Sequence, residues 1–159
     1  SQLGVETVGA LADILLGKVN PSGKLTTTWA AFEEYPEMPD FEDMNETRYR
    51  EGIYVGYRYF DTFNIKPKYE FGYGLSYTDF KIETQSVTAD ADKVTVKVKV
   101  TNTGSTYSGK EIVQVYYSAP DSAEAEKEYQ ELGGFAKTDE LAPGESQILT
   151  ISYDTKDIR

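Results

Sequence analysis

The chain has 159 residues, a formal net charge of −11, and neither histidine nor cysteine. The length suits one domain or one and a half. The missing residue types remove disulfides, thiol chemistry, the usual triads and the usual zinc or copper sites, and the charge argues against nucleic acid and anionic membrane surfaces, whose phosphates need Lys and Arg. Hydrophobic residues make up 39% and aromatics 13%, with 13 tyrosines. That composition supports a packed core, and tyrosine surfaces suit sugar contacts and domain seams because the ring is apolar while the hydroxyl stays hydrogen-bonded.

Residues 3–16 read as a helix, with Val5, Val8, Ala12 and Leu15 at helical spacing and Leu11 and Leu16 widening the stripe. Gly17 stands where a left-handed C-cap is expected, and Asn20-Pro21-Ser22-Gly23 is a turn signal. Lys24 to Trp29 reads as a short strand with Leu25, Thr27 and Trp29 on one face. A lone helix and strand have nothing to bury against, so residues 1–30 are expected to be the end of a larger α/β domain.

Residues 31–78 are expected to form an extended linker. Its first part is acidic and carries Pro36 and Pro39. A calcium loop opening at Asp43, Asn45 and Thr47 fails, because Arg48 occupies the position that demands glycine. Asn45-Glu46-Thr47 is a formal glycosylation sequon, which matters only in a eukaryotic secretory context. From Tyr49 onward the linker is dense in rings and glycines. Alternation puts Ile53, Val55, Tyr57 and Tyr59 on one face, which predicts short strands or extended segments against another surface.

Residues 79–159 read as all-β. Val94, Val96, Val98 and Val100 alternate with Lys93, Thr95, Lys97 and Lys99, the pattern of a half-buried antiparallel strand. Ile112 to Tyr117 fits a central strand and Leu132 to Phe135 a shorter one. Leu141-Ala142-Pro143-Gly144 signals a type II turn, and Leu149, Ile151 and Tyr153 alternate inward after it. The expectation is a mainly β chain, an immunoglobulin or fibronectin type III-like sandwich. About five strands fit where about seven are usual, so the last ones are expected to be missing. No apolar run approaches the ~18 residues of a membrane span, and Ser1 to Gly4 lack the regions of a signal peptide. A soluble protein is expected, its compartment open, with the cytoplasm favoured over secretion.

Without His or Cys, chemistry would rest on carboxylates, Lys, Tyr or Ser. Paired carboxylates cleave glycosides, and Glu51, with Asp61 and Glu70 in the same neighbourhood, is the acid to consider. Surface or seam acids are the plainer alternative. The rings of residues 49–77 either stack sugars or pack the seam between the α/β part and the sandwich. Arg48, Arg50 and Arg58 either pair with local acids or hydrogen-bond sugar hydroxyls. Glu51, Tyr54, Tyr57 and Arg58 are the candidate substrate-binding residues; no catalytic residue, metal ligand or cofactor is expected.

Several long motifs carry a family likeness. The stretch from Ala12 to Leu25, ADILLGKVNPSGKL, resembles the closing helix–turn–strand of the α/β-sandwich domain of family 3 glycoside hydrolases, typically β-glucosidases. Tyr49 to Phe60, YREGIYVGYRYF, looks like the linker that follows it. Phe71 to Phe80 is similar to the family's entry into its fibronectin type III-like domain. Asn102-Thr103-Gly104, Gly109 to Tyr116, Glu131 to Phe135 and Leu141 to Glu145 match that domain's pattern. The resemblance implies a C-terminal portion that braces the catalytic domains of a retaining enzyme. Its partners would be the rest of that parent, with the catalytic barrel and α/β domain, and through it a carbohydrate. The family's aspartate nucleophile and glutamate acid/base have no matching position here, so no catalytic residue is carried over, and this portion alone is expected to be inactive. In some members the domain order is permuted. An autonomous carbohydrate-binding or adhesion module and a structural spacer are the alternatives.

Overall fold

A computed structural model describes residues 4–36, 45–46, 48–119 and 126–157. Helix α1 spans Thr7–Leu15, shorter at both ends than the periodicity predicts. It stops where expected. Gly17 adopts φ +71°, and its N–H donates to the Ile14 carbonyl while Lys18 N–H reaches Asp13. An L side chain rarely adopts that φ, which is why glycine closes the turn. No residue of α1 is buried. Its apolar stripe lies open, with Val8 at 80% and Leu15 at 71% exposure.

The segment after the turn is not a regular strand. Leu25 N–H donates to Tyr73 O at 2.7 Å, and Gly72 N–H donates back to Leu25 O at 2.8 Å. Trp29 and Tyr69 exchange a second pair of bonds at 2.8 and 2.9 Å. Between these points the chain bends at Thr26 and Thr27, which interrupts the ladder. The expected strand over 24–29 is therefore two points of antiparallel pairing to the end of the linker.

The alternation read across residues 53–60 is also overturned. Helix α2 spans Tyr57–Thr62. Gly56, at φ +61°, redirects the chain just before it. The helix puts Tyr57 and Phe60 one turn apart on the same side, where Tyr57 stacks on Phe71 (5.2 Å between ring centroids) and meets Tyr116 edge-on (5.6 Å). Phe60 meets Tyr35 edge-on at 5.5 Å and is 2% exposed. A strand would have sent Tyr57 and Phe60 to opposite faces; the helical spacing lets both pack on the seam.

The sandwich follows. Strands β1 (Phe80–Ala89), β2 (Lys93–Asn102) and β5 (Ser146–Asp154) form one antiparallel sheet in the order β1-β2-β5. Strands β3 (Ile112–Tyr117) and β4 (Glu131–Lys137) form the other, β4 running longer than the sequence predicts. Val96, Val98 and Val100 of β2 and Leu149 and Ile151 of β5 meet Val113 of β3 and Leu141 in the core, with Phe80, Val94, Val115 and Ala136 at its margin. The alternations of β2 and β5 place these residues inward as predicted. The turn before β5 closes when Glu145 N–H donates to Ala142 O at 2.9 Å, with Gly144 at φ +80°, the type II arrangement.

One polar residue sits inside this apolar frame. Asn102 is fully buried. Its Nδ2 donates to the Tyr107 and Leu141 carbonyls, both at 2.9 Å. Its Oδ1 accepts from Thr78 Oγ1 at 2.6 Å and from Gly104 N–H at 3.0 Å. Its backbone joins the turn through Glu145 O and Gly144 N–H. A buried amide is tolerated only when satisfied, and this one ties the entry, the 103–109 loop and the β5 turn together.

Candidate functional site

The linker and the N-terminal segment pack on the sandwich through polar links. Asn20 Nδ2 donates to Ser108 O at 2.9 Å, and its Oδ1 accepts from Tyr77 N–H at 2.8 Å. Lys24 Nζ lies 2.8 Å from Glu111 Oε1. Lys137 Nζ donates to Ser22 O at 2.9 Å. At the other end of the seam, Gln130 Nε2 donates to Asp61 Oδ2 at 2.9 Å and Tyr129 N–H to Thr62 Oγ1 at 2.9 Å.

A groove of about 620 Å³ runs over the Asp61, Thr62, Tyr129 and Gln130 links, and two smaller cavities lie beside it. The larger, about 410 Å³, is mostly aromatic: Tyr35, Tyr54, Tyr57, Tyr59, Phe60 and Phe71 line it, with Glu51 and the Thr26–Thr28 segment. Three of the four candidate residues, Glu51, Tyr54 and Tyr57, thus border one space. Both tyrosine hydroxyls are engaged. Tyr54 donates to Glu126 Oε1 at 2.8 Å, and that bond, with partial burial and the Glu126 and Glu128 charges, raises its pKa. Tyr57 Oη accepts from Leu132 N–H at 2.8 Å. What the two residues offer the cavity is ring surface.

Arg58 does not join them. Its Nη2 is 2.7 Å from Glu131 Oε1 and its Nε 3.3 Å from Glu128 Oε1. Tyr117 Oη donates to the other Glu131 oxygen at 2.7 Å. Burial opposes the Arg58 charge, but Tyr57, Glu131 and Glu128 together hold its pKa above the ordinary value. Of the two roles open to it in the sequence, pairing with acids is the one adopted.

The smaller cavity, about 180 Å³, shares Thr28, Tyr57, Phe60 and Phe71 with the first and adds Asp61, Glu70, Gln114, Tyr116 and Gln130. It brings Asp61 and Glu70, the other two acids of the linker, to one space. Burial first, then Tyr57, Asp61 and Glu70, push the Tyr116 phenol up to about 12. Thr28, Gln114 and Gln130 were not expected at a site. They arrive from the N-terminal segment, β3 and the approach to β4, and no local motif marks them. Among the described residues, no group of three or more His, Cys, Asp or Glu side chains converges as a metal site. The arrangement can stack a ring and accept hydrogen bonds.

Residues 1–77 match the family described as "Glycosyl hydrolase family 3 C-terminal domain", and residues 111–159 match the "Fibronectin type III-like domain". Over 99% of its length the chain is similar, at 48% identity, to "Beta-glucosidase A" of Butyrivibrio fibrisolvens, covering 21% of that protein. It is 46% identical over 92% of its length to a "Beta-glucosidase" of Ruminococcus albus, covering 15% of it. Among solved structures, β-glucosidase 3B from Thermotoga neapolitana in complex with glucose superposes with a TM-score of 0.89 at 42% identity, over 98% of this chain and 22% of that one. The chain thus spans about a fifth or less of the length of these relatives. With two of the family's domain types along its length and whole-chain likeness to named members, the chain belongs to glycoside hydrolase family 3.

Proposed function

We propose that this chain is the non-catalytic C-terminal portion of a retaining enzyme that cleaves β-linked glucosides, and that it braces the domains that carry the chemistry. The carrying observation is the 48% identity to a named β-glucosidase over 99% of the chain and only 21% of that protein. In this reading residues 1–30 end the α/β-sandwich domain, 31–78 are the linker and 79–159 the fibronectin type III-like domain. The partners are the rest of the parent, its barrel and α/β domain, whose surface covers the open stripe of α1. Bracing is supported by the links from Asn20, Lys24 and Ser22 into the sandwich, which hold the N-terminal segment on the β domain.

A finer part of the reading concerns the larger cavity. Glu51, Tyr54 and Tyr57 border the outer sugar subsite, where the rings carry the contact by stacking. The same rings favour a second reading, an autonomous carbohydrate-binding or adhesion module. Titration of the chain with cello-oligosaccharides, followed by tyrosine fluorescence, separates the two: saturable binding by the chain alone supports the module.

The enzyme reading is tested on the full-length protein with an aryl β-D-glucoside, by identifying the first-formed sugar with proton NMR before mutarotation. A retaining pair of carboxyl groups about 5 Å apart releases the β-anomer first. The α-anomer first, or no release, sinks the proposal.

A further inference from the structure

On a chain of net charge −11, the outer face of the β1-β2-β5 sheet carries the opposite sign. Val94, Val96, Val98 and Val100 of β2 turn toward the core, so Lys93, Lys97 and Lys99 turn outward. Lys81 of β1 joins them, opposite Thr101 in register, and Lys156 follows β5. Two acids answer these five lysines. Glu83 lies 2.8 Å from Lys81 and opposite Lys99, and Asp154 lies 2.9 Å from Lys156 and opposite Lys93. Lys97 stands between Ser86 and Thr150 in register, so neither flanking strand offers it a carboxylate there. Other cations of the chain are matched: Lys18, Lys24, Arg48 and Arg58 each meet an acid within 3.3 Å. Between the lysines lie hydroxyls. Thr95 Oγ1 and Ser152 Oγ are 2.9 Å apart, Thr101 Oγ1 and Ser146 Oγ 2.8 Å apart, and Ser86 and Thr150 are exposed beside Lys97.

The spacing narrows the partner. Two residues of strand span about 7 Å, so the cations along β2 are widely spaced, whereas duplex DNA presents one phosphate charge per about 1.7 Å. Strands β1, β2 and β5 also carry no arginine, the residue whose fork grips phosphate in two places, and the acidic remainder of the chain repels a dense polyanion. Sparse carboxylates on a hydroxyl-bearing polymer fit better, because serine and threonine hydroxyls both donate and accept. We propose that this sheet face docks an acidic polysaccharide, with carboxylates on Lys93, Lys97 and Lys99 and hydroxyls on the rows of Ser and Thr between them. The polymer is an anchor and not a substrate: none of these residues lines the two cavities of the seam. The proposal rests on this face and stands whether or not the parent hydrolyses glucosides.

The test is retention of the full-length protein on resin coupled to polygalacturonate, beside resin coupled to neutral dextran. The expected result is retention by the acidic resin alone at low salt and release by about 0.3 M salt, where charges a few ångströms apart are already screened. Lys97→Gln with Lys99→Gln should weaken binding about fivefold, the loss of two exposed ion pairs. Glu83→Gln with Asp154→Asn removes the two acids and should tighten it. The opposite signs separate charge from damage to the fold, which would weaken both variants. No retention, equal retention on dextran, or retention that the lysine variant leaves unchanged overturns the proposal, as does tighter binding to duplex DNA or to phosphatidylserine vesicles than to polygalacturonate. The hydrolysis assay plays no part here, so failure of the enzyme reading and failure of this surface are read separately.

Discussion

Lys24 Nζ lies 2.8 Å from Glu111 Oε1, with the two side chains only 15% and 16% exposed, and it joins the N-terminal segment to the first residue before β3. Glu111 Oε1 also accepts from Ile112 N–H at 2.7 Å. A buried pair of this kind costs more when halved than when removed, because the remaining charge loses its partner. Lys24→Met alone should destabilise the protein by about 3 kcal/mol, read from urea unfolding. Lys24→Met with Glu111→Gln should cost less than the two single changes added together. Additive costs would show that the pair does not hold the segment to the sandwich.

Asn102 gives a prediction in rank order. Asn102→Ala leaves the Tyr107 and Leu141 carbonyls and the Gly104 N–H without their partner and opens a void. It should therefore cost at least about 3 kcal/mol. Thr78→Val removes one of the four side-chain bonds and should cost about 1–2 kcal/mol. Equal effects in urea unfolding would contradict the account of Asn102 as the junction.

The aromatic cavity is tested in the parent. If Tyr54 and Tyr57 border an outer sugar subsite, their alanine variants should raise KM for an oligosaccharide by several-fold and leave KM for an aryl monoglucoside little changed. The sugar–ring contacts they would lose are each worth about 1 kcal/mol. No change in KM or in stability for either variant ends that part of the proposal.

Stability should fall in alkali. Burial, then Tyr57 and the Asp61 and Glu70 charges, raise the Tyr116 pKa from 10.0 to about 12, and burial and the Glu131 bond raise that of Tyr117 as well. A raised phenol pKa means that the folded state keeps its proton after the unfolded chain has lost it. The contribution is therefore whole below the unfolded value near 10 and is lost as pH climbs through the folded one. Urea midpoints should drop between about pH 10 and 12, and Tyr116→Phe should shallow the drop. An unchanged slope in the variant would remove Tyr116 as a cause.

Some of this was legible in the sequence and some was not, for physical reasons. The Val94–Val100 and Leu149–Tyr153 alternations report a half-buried sheet face directly, because one face of each strand meets the core. Gly17 and Pro143-Gly144 mark backbone conformations that few other residues adopt. Helix α2 was hidden, since six residues are too few for periodicity to separate a turn of helix from a strand, and the decision lay with ring packing across the seam. The aromatic cluster itself was visible as composition. That Thr28, Gln114 and Gln130 would converge on Asp61 and Glu70 was not, because those contacts join residues far apart in sequence and no local pattern encodes them. Of the linker arginines, Arg58 pairs with two acids of the 126–131 stretch, Glu128 and Glu131, far from it in sequence, and Arg48 pairs with its neighbour Glu46 at 2.8 Å.

The most direct measurement compares the full-length protein with the 159-residue chain at equal molarity, on one aryl β-D-glucoside. The account predicts turnover by the full-length protein and none by the chain, whose contribution is structural. Turnover by the chain alone would place catalytic groups within it and contradict the account.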